Sequence, residues 1–462
     1  MRPLLSPFRN RADIIPHPPP VGKRKTQAQN VRLRASAHCG SMHFQDIFRS
    51  IRLQFTAIIG YNSAMGKYVF LILMWPSMLL AEAWRPSDFE IRGWNFAVSS
   101  TDTCSNVFSP IGLAVSVAML GEATGDAYRA HIAEAMGLMG DFANTFSSLM
   151  GSYAESSVSN AVSISLAPSI WSRRIKSMDI GYRHSLLHTF GAVSGRLSTP
   201  VPINAWTEAA TDGRLPQIVS KIDKETDLML LNAIAFEGTW KEGFDKAKTR
   251  PGDFRTDEGK TVSLPFMHGT ETIARIRDKK FEAIRIPFAA EGFNMIYLLP
   301  PKNMRIGKFR AYIGDKISID ELKSRFRVGA GADVDVLPVK LSLPRMELSS
   351  SWNLMPLMSH LKIPSTGYPK LGERLKLGEM TQAAYIKVTE TGTSFMPGDR
   401  PPTPQAEEKK DSRDWQRQTR MDYDATTSYS KIENVRLDRP FVFLVWDINT
   451  DTIILAGQFT GK

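Results

Sequence analysis

Apolar positions beyond residue 105 fall first into helical blocks and then into short runs. Ser109-Pro110 makes a helix start: the hydroxyl can cap a free amide, and proline at the first helical position gives up no needed hydrogen bond. Ile111, Leu113, Val117 and Leu120 continue it as a mostly buried helix ending near Gly121. Residues 126–138 predict a second helix and 181–190 a third. From residue 228 the texture changes. Segments 228–236, 283–288, 294–299, 336–343, 441–447 and 452–459 are apolar runs bounded by Gly, Pro or charged turns, as strands are. Helices early and strands late predict an α+β fold with large antiparallel or mixed sheets. No internal repeat is found. Segment 396–436 breaks the pattern: it contains Pro397, Pro401, Pro402 and Pro404, then a polar tract, and holds eight Lys/Arg and eight Asp/Glu in all. Such a composition buries too little surface to offset the entropy of ordering, which predicts an exposed, mobile loop of functional length.

The N-terminal pattern reads as an address. Met65-Gly66-Lys67 is short and basic, residues 68–80 are an almost unbroken apolar run, and Ala81-Glu82-Ala83 places small residues around one variable position. These are the three parts of a secretory signal peptide, and the run is too short to span a bilayer. Initiation at Met65 predicts residues 1–64 as an over-extended gene model, 65–83 as the signal peptide and 84–462 as the mature, secreted domain. The competing reading makes 1–64 a targeting extension, against which Pro16, Pro18, Pro19 and Pro20 argue.

Charge changes the picture only once it is divided. The chain of 462 residues carries a net +11, but residues 1–64 hold ten Lys/Arg against Asp13 and Asp46. The remainder is close to neutral, so the basic footprint expected of a nucleic-acid binder is missing from the folded part. Cys39 and Cys104 are the only cysteines, too few for a disulfide scaffold or a cysteine zinc cluster. No G-x-S-x-G or H-E-x-x-H occurs. His184 and His188 share a helical face without an acidic residue between them and read as structural. Glu258-Gly259-Lys260-Thr261 lacks the first glycine of a phosphate loop and reads as a hairpin turn. Arg173, Arg174 and Lys176 read as a solvated turn. Nothing in this set points to an enzyme, a metal or a cofactor.

Several motifs in order resemble one family. Asn106-Val107-Phe108-Ser109-Pro110 is similar to the opening signature of the serpins. Ile203-Asn204-Ala205-Trp206 with Asp212-Gly213-Arg214, and 231–240 (Leu-Asn-Ala-Ile-Ala-Phe-Glu-Gly-Thr-Trp), resemble their internal motifs. Pro265-Phe266-Met267, Tyr297-Leu298-Leu299-Pro300, Leu343-Pro344-Arg345-Met346 and Asp438-Arg439-Pro440-Phe441 follow in the same order. The interval between Ser148 and Trp171 is poorly matched and implies a trimmed helix. The resemblance implies a single domain of three sheets and eight or nine helices, with a reactive loop at about 390–438. It also places Asn106, Ser109 and Asn232 where the main sheet opens, and Trp240 at its upper end. In inhibitory members a protease attacks the loop, and the loop's first half inserts into the main sheet as a strand.

The loop can be judged by what insertion demands. Glu390-Thr391-Gly392-Thr393 is similar to the family's hinge, which continues with small residues. Here Ser394-Phe395-Met396-Pro397-Gly398-Asp399-Arg400-Pro401 follows, and the two-residue strand period puts Phe395, Pro397, Asp399 and Pro401 on the inward face with Thr393. Proline belongs at sheet edges and a buried charge is costly, so the hinge predicts loss of the trap. Gln382, where the family usually has histidine, points the same way. Counting forward from the hinge sets the scissile bond near Ala406, and counting back from Pro440 near Tyr429-Ser430. Arg413, Arg417 and Arg420 would suit trypsin-like proteases, Tyr423 and Tyr429 chymotrypsin-like ones. Two functions follow: a secreted monomeric non-inhibitory serpin acting as an extracellular binding protein, or an inhibitor presenting the loop as bait. The partners are an unknown ligand or protein in the first case and an extracellular serine protease in the second. No nucleic acid and no stable membrane insertion are expected in either.

Overall fold

In the computed structural model the described residues are 86–99, 104–138, 141–157, 161–328, 334–393 and 432–461. The signal segment, the basic extension, Phe395, Pro397, Asp399, Pro401, Ala406, Arg413, Arg417, Arg420, Tyr423, Tyr429 and Ser430 lie outside them. Helix α1 (Pro86–Val98) leads through strand β1 (Asn106–Phe108) into α2 (Pro110–Ala123), α3 (Asp126–Met136) and α4 (Phe142–Ser157). The Ser109 hydroxyl accepts the Gly112 amide and Pro110 opens α2, as the sequence predicts. The helix runs past Gly121 because that glycine is a contact rather than a stop: a Cβ there would lie 2.6 Å from the Phe142 ring. Apart from Glu122, α2 is buried on every side, the signature of a central helix.

Strand β2 (Val162–Ser172) follows directly on α4, so the poorly matched interval holds the end of a sixteen-residue helix and the start of a long strand. Then come α5 (Ile180–Phe190), β3 (Val193–Arg196), α6 (Pro200–Ala210) and β4 (Leu228–Thr239). The second half contains β5 (Arg250–Arg255), β6 (Thr261–Arg277), β7 (Glu282–Pro287), β8 (Phe293–Leu299), α7 (Ile306–Tyr312) and α8 (Ile319–Val328). It closes with β9 (Asp335–Pro344), β10 (Met346–Asn353), α9 (Met355–His360), β11 (Leu377–Thr389), β12 (Gly392–Thr393), β13 (Glu433–Arg436), β14 (Phe441–Asp447) and β15 (Thr452–Phe459). The expected phosphate-loop mimic is the β5–β6 hairpin turn, with Gly259 at φ +82.

These strands form two hydrogen-bonded sets. One is a six-stranded sheet ordered β10-β11-β12-β4-β2-β3. The other has nine strands because the seventeen-residue β6 joins two sheets, pairing with β5 at its start and with β7 at its end. The three sheets implied by the resemblance therefore occur as two ladders.

Strand β4 explains why its sequence is apolar at nearly every position. Leu228, Leu230, Ile234 and Phe236 join the main core beneath α2, while Met229, Leu231 and Ala233 join a second cluster with Trp171, Ile203 and Leu215 near α6. With both faces covered, period-two alternation gives way to a continuous hydrophobic run.

Candidate functional site

The site is the seam between β4 and β11 and the hinge at its top. The two strands pair in parallel from Leu377–Leu228 to Tyr385–Ala235. Above that point they part, and β12 sits between them, pairing antiparallel with Val388–Thr389 on one side and Gly238–Thr239 on the other. Gly392 and Thr393 thus already occupy the seam. Thr393 is fully buried, its hydroxyl donates to the Gly238 carbonyl at 3.3 Å, and its cross-strand partner Val388 belongs to the main core. Directly opposed residues share a face, so Thr393 points inward.

Glu390 anchors the turn before β12. Its carboxylate accepts from Arg345 Nε at 2.8 Å, from Arg345 Nη2, and from the Thr249 hydroxyl at 2.5 Å. Burial alone would raise its pKa, but the Arg345 and Thr249 hydrogen bonds outweigh it and hold the carboxyl below the usual range. The Glu390 carbonyl accepts the Phe244 amide at 2.8 Å, and the Thr391 carbonyl accepts the Trp240 amide at 3.0 Å. Trp240 stacks on Phe288 at 4.7 Å and donates its indole N–H to Thr389. It therefore marks the upper end of the seam.

A second group grips the seam from behind. The Ser109 amide donates to Gln382 Oε1 at 2.8 Å, and Gln382 Nε2 donates back to the Ser109 carbonyl at 2.9 Å. The Ser109 hydroxyl donates to the Ile454 carbonyl at 2.7 Å. Asn232, paired across the seam with Gln382, donates to the Gly112 carbonyl at 2.8 Å and the Ser116 hydroxyl at 3.1 Å. Both strands are thereby tied to the same end of α2. Gln382, which stands where the resemblance leads one to expect histidine, forms a two-point clamp with its amide. Asn106 is set apart: it lies in β1, and among the described residues its side chain donates to the Cys104 carbonyl, with no bond to Ser109, Gln382 or Asn232.

The loop is also shorter than the sequence indicates. Glu390 and Thr393 are buried, and Glu433–Arg436 is a strand paired in parallel with β9 and secured where Arg275 (2.7 Å) and Arg277 meet the Glu433 carboxylate. Apolar Val435 and Leu437 pull that end into the core. His184 and His188 are exposed on α5 with their rings 4.1 Å apart, touching each other rather than packing into a core. Among the described residues no cluster of three metal-ligating side chains occurs, and no helix is long and apolar enough to cross a membrane.

Comparison with known proteins gives this geometry a context. The family model described as serpin (serine protease inhibitor) matches residues 88–461. Ovalbumin from Coturnix coturnix is 28% identical over 268 residues, covering 55% of this chain and 61% of that protein. Leukocyte elastase inhibitor from Bos taurus is 26% identical over 202 residues, covering 41% and 53%. The chain spans 61% and 53% of the lengths of these two relatives. Among solved structures, native protease nexin-1 with heparin superposes with a TM-score of 0.68 at 19% identity, covering 82% of this chain and 98% of that one. Thyroxine-binding globulin complexed with thyroxine gives 0.66 at 17% identity, covering 81% and 98%. Uncleaved ovalbumin gives 0.65 at 18% identity, covering 82% and 100%. At these identities the likeness is one of fold.

Proposed function

The chain belongs to the serpin family, and from that premise we propose that it is a secreted member that has lost the protease trap and acts as an extracellular binding protein. The observation that carries this reading is the register at the hinge. Continuing β12 downward at its present pairing would set Phe395 between Ile386 and Phe236, and Pro397 between Ala384 and Ile234. Asp399 would fall between Gln382 and Asn232, and Pro401 between Met380 and Leu230. All eight neighbours are buried. Phe395 overpacks its layer at a cost of about 1–3 kcal/mol. Each proline removes a ladder donor and leaves a buried carbonyl, roughly 1–3 kcal/mol apiece. Asp399 meets the one polar layer of the seam, but Asn232 already uses its amide hydrogens on Gly112 and Ser116. An ionised carboxylate left there would cost several kcal/mol more.

The test is a melting curve before and after limited proteolysis within residues 394–431. The expected result is an unchanged midpoint. In the variant Phe395→Ala/Pro397→Ala/Asp399→Thr/Pro401→Ala the same cut should raise it, by ~6 °C if insertion contributes about 5 kcal/mol. A large rise in the unaltered chain would overturn the reading.

One observation favours the alternative, a working inhibitor: Gly392 and Thr393 are already seated in the seam, so the loop has begun the path a trap would follow. That reading makes Arg420 bait for trypsin-like proteases and Tyr429-Ser430 bait for chymotrypsin-like ones. It requires a denaturant-stable complex of about one protease per chain after mixing, which the non-inhibitory reading forbids.

A further inference from the structure

A cleft of about 750 Å³ lies away from the seam, between the β5–β6 hairpin, the turn after β8 and the residues joining β13 to β14. That is the size of a small-ligand site. Its lining contains Arg255, Lys302, Arg305, Arg436 and Arg439 against Asp253, Asp257 and Asp438. Two of the carboxylates already have partners, Asp438 within the cleft itself. Asp257 Oδ1 accepts the Ile306 amide at 2.8 Å, and Asp438 pairs with Arg436 Nε at 3.3 Å and Arg439 Nη1 at 4.0 Å. Arg436 is fixed over the Phe266 ring at 4.9 Å and donates to the Asp253 carbonyl at 3.0 Å. Among the described residues no carboxylate pairs with Arg255, Lys302 or Arg305, which leaves three cations free at the rim.

Two buried donors on residues that line the cleft have no acceptor. Thr256 is only 4% exposed, and its hydroxyl has no partner. Arg439 donates Nη2 to the Pro300 carbonyl at 3.3 Å, yet its buried Nε–H is also unpaired. Buried donors are ordinarily satisfied, so two of them in one basic cleft mark where an acceptor belongs. Pro301, Met304 and Pro440 add apolar wall around them.

We infer that this cleft binds a small organic anion with a tetrahedral head, a phosphate or sulfate monoester. The head oxygens accept from Thr256 Oγ1 and Arg439 Nε, Arg255 and Arg305 close on them from the rim, and the organic part lies against Met304 and the prolines. Donors from three separate chain segments suit a head with three free oxygens better than a two-oxygen carboxylate. The inference is independent of whether the loop inserts.

Titration calorimetry on the full chain tests it, with phenyl phosphate, phenyl sulfate and neutral phenol as probes. Saturable one-site binding of an ester, with none for phenol, is expected. A preference between the two esters tells a phosphorylated ligand from a sulfated one, and either supports the site. Thr256→Val keeps the side chain's shape and removes an unpaired hydroxyl, so its melting curve should be unchanged or higher while ester affinity falls about five- to tenfold. The double variant Arg255→Glu/Arg305→Glu should abolish binding. No saturable binding of either ester, or phenol binding as well as they do, would overturn the inference. So would unchanged affinity in both variants, which would locate the anion on another basic segment such as residues 1–64.

Discussion

Gly392 is held at φ +142, and a Cβ there would lie 1.9 Å from the Gly238 carbonyl oxygen. Both the backbone angle and the contact demand glycine. Gly392→Ala should expel β12 from the seam, cost about 1–3 kcal/mol and open the Trp240 and Phe244 amides to hydrogen exchange. Unchanged protection at those amides would show that β12 is not what seals the top of the seam. The Glu-Thr-Gly-Thr signal was legible because it is contiguous. What Glu390 binds was not, since Arg345 and Thr249 stand 45 and 141 residues away. Gln382 has a structural role that sequence comparison leaves out. Compared with a family habit it looks like a lesion, yet an amide offers a donor and an acceptor side by side, which suits a backbone N–H and C=O as a single imidazole nitrogen does not.

At the scale of elements, β4, β11 and the start of α2 form one unit. The strands pair with each other, and Asn232 and Gln382 tie each of them to the helix. Opening the seam must therefore stretch both ties at once. Gln382→Leu keeps the volume but leaves the Ser109 N–H buried without a partner, while the Ser109 carbonyl keeps the Leu113 amide at 3.1 Å. It should lower stability by roughly 1–3 kcal/mol in a urea titration, with the slope unchanged. A loss below about 0.5 kcal/mol would mean the clamp is replaceable. Strand β4 is legible in the sequence because its apolar run ends at turn residues, whereas β11, its partner across the seam, is not among the runs the pattern predicts. The sequence pattern puts the small strand β13 with the loop, since four residues between polar neighbours carry no period of their own. It is a strand only because β9 lies beside it and Arg275 and Arg277 hold Glu433.

For the whole molecule, folding buries a carboxyl that no local pattern flags. Glu90 of α1 is fully buried, accepts the Ile453 amide at 3.3 Å through one oxygen, and has a pKa raised to about 8 by burial, with Lys323 opposing and Asp451 and Asp320 adding to the rise. A raised carboxyl pKa stabilises the fold fully below about 4.5, and this contribution is lost as pH climbs to about 8. The slope is at most about 1.4 kcal/mol per pH unit. Glu90→Gln should therefore match the unaltered chain at pH 5 and melt higher at pH 9. Equal melting at both would place Glu90 in contact with water. By itself the sequence determined the α+β class, the order of the motifs and the composition of the hinge, because capping, periodicity and proline chemistry act within a few residues. The tertiary structure alone decided that Gln382 and Asn232 face each other across the seam, that Glu390 is held by Arg345, and that five basic residues from three segments surround one cleft. Those facts rest on strand register and on contacts between residues far apart in sequence, and packing of the complete core fixes both.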